Sequence, residues 1–122
     1  MKLSTGIDLV EIERLEEAIG RHGRRFLERI YTPGELDQLG HNVCSLAGRF
    51  AAKEAVAKAL GTGIGLVAWR EIEVLPGPER APVLHLHGEA ARRAEALGLS
   101  AWSISLSHTH KYAVAMAVGM GE

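Results

Sequence analysis

Residues Trp102–Val118 read WSISLSHTHKYAVAMAV, and both halves of this stretch carry the two-residue alternation of strands, set around the short turn His108-Thr109-His110. In the second half Tyr112, Val114, Met116 and Val118 take one face, while Ala113, Ala115 and Ala117 take the other. In the first half Ile104 and Leu106 oppose Ser103, Ser105 and Ser107. Two strands joined this tightly pair antiparallel. Neither face of the second strand is polar, so each needs a cover. The expectation is helices on one side and a neighbouring subunit on the other, the small alanine and serine face admitting its close approach.

Working outward, Gly88–Leu97 has a helical composition closed by Gly98. Before it, Glu71–Leu75 and Val83–His87 read as strands joined by PGPERAP, a Pro- and Gly-rich connection suited to a hairpin. Ser45–Leu60, rich in Ala, Leu, Lys and Glu, is the strongest helix, with Gly61 placed to end it. At the other end of the chain, Lys2–Val10 is strand-compatible and leads into a helix with Ile12, Leu15, Ala18 and Ile19 at spacings of three and four, broken by Gly20 and Gly23. Arg24–Ile30 reads as a second helix. Thr32-Pro33 is an N-cap followed by Pro at the first helical position, opening a third helix that stops at Gly40. Helices mixed with antiparallel hairpins define an α+β fold, an antiparallel sheet with packed helices.

The 122 residues suffice for one domain, 1–122, and not for two. With 47% hydrophobic and 24% charged residues, the composition is that of a globular chain and excludes a disordered one. A net charge of −1 gives no basis for a nucleic-acid partner, and no apolar run approaches the roughly 20 residues of a membrane span. The start, MKLSTGIDLVEIERL, lacks the apolar core of a secretion signal. The single cysteine, Cys44, has no internal disulfide partner, which fits the cytoplasm. Cys44 itself reads as a buried structural thiol.

Chemistry centres on three places. Glu54 and Lys58 share one helical face within RFAAKEAVAKALGTG. Alone they would be an ordinary surface pair, but Ala47 and Ala51 keep that stripe small, and the helix runs into Gly61–Gly65, GTGIG, whose backbone is a candidate phosphate contact. The glycines follow the helix, unlike those of a P-loop or a Rossmann fingerprint. Asp8, in TGIDLVEIE, has two readings: with Glu11 it resembles a capping box, and with Glu54 it supplies the one or two carboxylates that Mg²⁺ takes from a protein. Arg21–Arg29, RHGRRFLER, concentrates positive charge in a slightly acidic chain and favours an acidic partner, with Phe26 either core or an apolar anchor in its midst. The pairs His85/His87 and His108/His110 lack a third and fourth zinc ligand at a familiar spacing.

GIDLVEIER and GRFAAKEAVAKALGTGIG together resemble the bacterial holo-(acyl carrier protein) synthases, and Phe50-x-x-Lys53-Glu54-Ala55-x-x-Lys58 resembles the signature of the phosphopantetheinyl transferase superfamily. The similarity continues through RRFLERIYTPGEL, WREIEVLP and SISLSHTHKYAVAMAV, nearly the whole chain in order. The resemblance implies the 4'-phosphopantetheinyl transferase fold, a homotrimer with coenzyme A between subunits, and transfer of 4'-phosphopantetheine to a serine of apo-acyl carrier protein in fatty acid biosynthesis. It implies Mg²⁺ on Asp8 and Glu54, with Mn²⁺ able to satisfy the same oxygens. It places Lys58 on the coenzyme A phosphates and coenzyme A contacts at Arg49, Pro82, His108 and Thr109. Beside it, the glycine-loop reading adds Gly61 to those contacts, and the chemistry makes Glu54 and Lys58 the catalytic pair, Glu54 as base directly or through a metal-bound water. Carrier contacts fall to Arg14, Arg21, Arg24, Arg25 and Phe26. Three stretches depart from the family pattern: Leu39–Ser45 is short, Arg80-Ala81 stands where Gly-Lys is usual before Pro82, and Arg21–Arg25 carries a one-residue shift that leaves open which arginine plays which part. Two other readings use the same residues, a Mg²⁺-dependent phosphohydrolase and a non-catalytic module binding nucleotide or an acidic protein.

Overall fold

The computed structural model describes residues 1–122, the side chain of Arg80 excepted. Strand β1 (Lys2–Glu11) continues without a loop into helix α1 (Ile12–His22), followed by α2 (Arg24–Ile30), α3 (Pro33–Leu39) and α4 (Val43–Ala59). Then come β2 (Ile72–Pro76), β3 (Pro82–Leu86), α5 (Gly88–Leu97), β4 (Ala101–His108) and β5 (Tyr112–Gly121). Local signals explain most boundaries. The Thr32 hydroxyl accepts the Glu35 N–H at 3.1 Å and Glu35 accepts the Thr32 N–H at 2.8 Å, a reciprocal cap on α3. Asn42 accepts the Ser45 N–H at 3.0 Å, so α4 starts at Val43, ahead of the expected Ser45. Gly20 lies inside α1, and Gly23, at φ +60°, is the residue that ends it.

Two antiparallel sheets flank α4. One has the strand order β1-β5-β4 and the other pairs β2 with β3. Helix α4 is buried nearly all round: Ala51, Ala52, Ala55, Val56 and Ala57 share one core with Ala115 and Ala117 of β5 and with Ile72 and Val74 of β2. A second core gathers Ile12, Leu15, Ile30 and Tyr31 around Leu46 and Ala47 at the start of α4. At Gly6, β1 crosses α4 so closely that a Cβ would overlap the Ala55 carbonyl.

The faces of the larger sheet are covered the other way round from the sequence expectation. Ala113, Ala115 and Ala117 are buried in the two cores built around α4, because small side chains on both elements let helix and sheet approach closely. Alanines and serines do not share a face: Ile104 and Leu106 sit opposite Ala117 and Ala115, while Ser103, Ser105 and Ser107 sit opposite Val118, Met116 and Val114. The outward face is therefore the large apolar one, with Leu3, Ile7 and Leu9 of β1 beside Tyr112, Met116 and Met120 of β5, all exposed. Ile7 is 61% exposed and Met116 is 46% exposed, side by side in the register. A contiguous apolar patch of this kind marks an interaction surface.

Candidate active site

Asp8 is a strand residue. β1 runs on to Glu11, which takes the N-cap position of α1 and makes no side-chain capping bond, so the capping-box reading of Asp8 gives way. Asp8 shares with Gly6 the face of β1 that lies on α4, and the close crossing at Gly6 brings this carboxylate toward the helix. Glu54 and Lys58 stand one turn apart on α4. Lys58 does not pair with Glu54: its ammonium donates to the Ile7 carbonyl at 2.9 Å and to Asp8 Oδ1 at 3.2 Å. Partial burial, followed by the negative charge of Asp8, pushes the Glu54 carboxyl above its ordinary range, and Lys58 only partly offsets this. The two acids thus sense each other across a cleft of about 530 Å³, whose walls include Arg14, Phe26, Phe50 and Tyr112.

Two mutually repelling carboxylates with only oxygen donors suit a hard cation. No group of three or more His, Cys, Asp or Glu poised to hold a metal exists among the described residues. It does not count against Mg²⁺, which takes one or two protein carboxylates and fills the rest with water and phosphate oxygens.

The other expected residues fall into separate places. Arg14 and Phe26 line the Asp8–Glu54 cleft. Arg21, Arg25 and Phe26 line an adjoining cleft of about 520 Å³ with His22 and Arg29, so Phe26 stands between the two. Arg24 faces elsewhere, pairing with Glu28 at 3.6 Å and lining a different cleft with Arg70. Arg49, on α4, has its Nε buried without a partner among the described atoms, and burial pulls its guanidinium down against the opposing pull of Glu35. Pro82 opens β3, and His108 closes β4. Thr109 shapes the β4–β5 turn, its hydroxyl accepting the N–H of Lys111 at 3.2 Å and of Tyr112 at 3.1 Å. Arg49, Gly61, Pro82, His108 and Thr109 are absent from the described walls of the Asp8–Glu54 cleft.

The glycine loop is engaged with its own helix. The N–H groups of Gly61, Thr62 and Gly63 bond to the carbonyls of Lys58, Ala57 and Ala57 at 2.9, 3.2 and 3.1 Å, capping the α4 C-terminus. Those three amides are therefore taken, and Gly61 lines a cleft with Arg93 instead.

Sequence reasoning missed Lys53 and Glu35. Both side chains are fully buried and paired at 2.7 Å. Lys53 also donates to the Trp69 carbonyl at 3.1 Å and the Ile72 carbonyl at 2.5 Å, which uses all three of its protons. Glu35 accepts in addition from the N–H groups of Thr32 and Val74. Burial lowers the Lys53 ammonium and Glu35 opposes that shift. The network extends outward, the Thr32 hydroxyl donating to Glu73 at 2.5 Å and Glu73 meeting His87 at 3.0 Å.

Residues 4–117 match the model of the 4'-phosphopantetheinyl transferase superfamily. A holo-[acyl-carrier-protein] synthase of Herpetosiphon aurantiacus is 49% identical over 126 residues, covering 98% of this chain and 99% of the relative. The crystal structure of the Helicobacter pylori holo-[acyl-carrier-protein] synthase in complex with coenzyme A matches with a TM-score of 0.87 at 34% identity, over 95% of this chain and 99% of that one. The enzyme of the same name from Neisseria meningitidis matches with a TM-score of 0.87 at 36% identity, over 96% of this chain and 97% of that one. The chain belongs to the 4'-phosphopantetheinyl transferase superfamily, among its holo-[acyl-carrier-protein] synthases.

Proposed function

We propose that this chain transfers 4'-phosphopantetheine from coenzyme A to a serine of apo-acyl carrier protein. The serine oxygen bonds to the β-phosphorus, the bridging P–O bond breaks, and 3',5'-adenosine bisphosphate leaves. The observation that carries this reading is the meeting of Asp8 and Glu54, from β1 and α4, at one cleft with Lys58 on the Asp8 carboxylate. The two carboxylates would hold Mg²⁺ (Mn²⁺ satisfies the same donors), which when bound neutralises charge on the pyrophosphate. Lys58 supplies a second, mobile positive charge to those phosphates. Glu54, directly or through a water, is the proposed acceptor of the serine proton. Arg14, Arg21, Arg25 and Phe26, on or beside this cleft, would receive the acidic carrier.

Arg49, Gly61, Pro82, His108 and Thr109 lie off the cleft walls of one chain, and the sheet presents an uncovered apolar face. Both features support a homo-oligomer in which coenzyme A spans two subunits. The family resemblance favours a trimer. The whole chain would act as one domain, in the cytoplasm, supplying holo-carrier for fatty acid biosynthesis. Among the described residues, no helix is long and apolar enough to cross a membrane.

The test is incubation with coenzyme A, Mg²⁺ and apo-carrier protein. Transfer adds one phosphopantetheine to the carrier mass. Release of free phosphate would replace this reading with hydrolysis, and unchanged reactants would leave only binding. Light scattering coupled to size exclusion reads the subunit number, and an active monomer would overturn the shared site.

A further inference from the structure

We propose that Lys58 is an internal latch on the cation site, occupying Asp8 until a divalent cation displaces it. This rests on the reading of Asp8 and Glu54 as cation ligands. The Lys58 ammonium bridges Asp8 Oδ1 at 3.2 Å and the Ile7 carbonyl at 2.9 Å. Glu54 is one turn away on the same helix face but makes no bond to that ammonium. The Asp8 side chain is 18% exposed and that of Lys58 is 52% exposed. The acid is thus fixed under the sheet edge while the lysine reaches it from the solvent side.

Ammonium and divalent cation compete for the same oxygen. Once a cation sits on Asp8, like-charge repulsion expels the ammonium, and its flexible four-carbon stem carries three donors free to engage the pyrophosphate. Cation and pyrophosphate therefore favour each other's binding: the cation frees the lysine for the phosphates, and the phosphates hold the lysine away from the cation's seat. By linkage this preference is reciprocal.

The experiment is a Mn²⁺ titration of the full chain without coenzyme A, with free Mn²⁺ followed by its electron paramagnetic resonance signal. It compares wild type, Lys58→Met, Asp8→Asn and the double variant. A partly exposed ion pair of this kind is worth up to a few-fold, so Lys58→Met should bind Mn²⁺ about two- to fivefold more tightly than wild type. Asp8→Asn should bind it more weakly, and Lys58→Met should add nothing in the Asp8→Asn background. Equal or weaker binding by Lys58→Met overturns the latch while leaving the ligand reading in place. So does an equal gain in both backgrounds, which would mean a general field effect and not competition for Asp8. If Asp8→Asn binds as wild type does, or wild type binds no Mn²⁺, the ligand reading falls and the latch with it.

Discussion

Lys53 and Lys58 stand on the same helix, each holding a carboxylate, and the two pairs behave as opposites. Lys53–Glu35 is fully buried, its three protons and both carboxylate oxygens all bonded to protein. Lys58–Asp8 opens onto a cleft and leaves one carboxylate, Glu54, unbonded beside it. A saturated pair has nothing to offer a ligand and can only hold α3, α4 and β2 together. An unsaturated one can exchange partners. Helix α4 thus carries its anchor and its proposed site on different faces, and the anchor keeps the second face turned toward β1.

The sharpest way to separate the two is to remove a charge from each. Asp8→Asn and Glu54→Gln should each lower turnover at least about a hundredfold in limiting Mg²⁺ while leaving the circular-dichroism spectrum and melting temperature near wild type. Near wild-type turnover in either variant would remove that carboxylate from the site. Lys53→Met should do the reverse in kind, stranding the buried Glu35 charge and lowering stability by about 3–5 kcal/mol in denaturant titration. Removing both charges, as in Lys53→Met with Glu35→Leu, should return most of that stability. A double variant as unstable as the single one would show that the backbone bonds of Lys53, not its charge pairing, anchor the helix.

A smaller effect is expected at the rim. Arg21→Glu and Arg25→Glu should raise the Michaelis constant for the carrier about three- to tenfold with coenzyme A affinity unchanged, an effect that shrinks as salt rises. Arg24→Glu should matter less, since Arg24 pairs with Glu28 and lines another cleft. Equal effects at all three positions would erase that distinction.

The smallest effect concerns pH. The Thr32 hydroxyl, and then His87, hold the Glu73 carboxyl below its ordinary value. A depressed folded-state pKa stabilises the fold above the unfolded value, near 4.5, and that contribution is lost as pH falls through the lowered one. Glu73→Gln should therefore be less stable than wild type at neutral pH, with the gap closing below about pH 4.5. A gap independent of pH would assign the loss to packing.

What could be read from the chain follows how local its cause was. Thr32-Pro33 and Gly40 bracket α3 as expected, because a cap is decided within four residues. The alternation of β5 was equally legible, but which face α4 would cover depended on the alanines of a helix more than fifty residues earlier. Asp8 was ambiguous because strand and helix meet there without a loop, and nothing local shows that the strand runs on to Glu11. Lys53 was hidden for a related reason. In AAKEAVAK it has the look of a solvated lysine, and its partner Glu35 lies on another helix, behind a loop. The glycine loop was visible as glycine, yet its use as a cap emerges only from where its amides point.

The register of the larger sheet has a consequence for how the molecule comes into being. Lys2 pairs with Gly121 and Asp8 with Ala115, so β1 has no strand neighbour until the last described element exists. During synthesis α1 through α5 leave the ribosome with the backbone edge of β1 unpaired. Closing so long a loop is the entropically slow step of such a topology. The strand that carries Asp8 is thus made well before its strand partner and is among the last elements to be set in place, so a nascent chain lacking β5 is expected to expose an open strand edge and to stick to its neighbours.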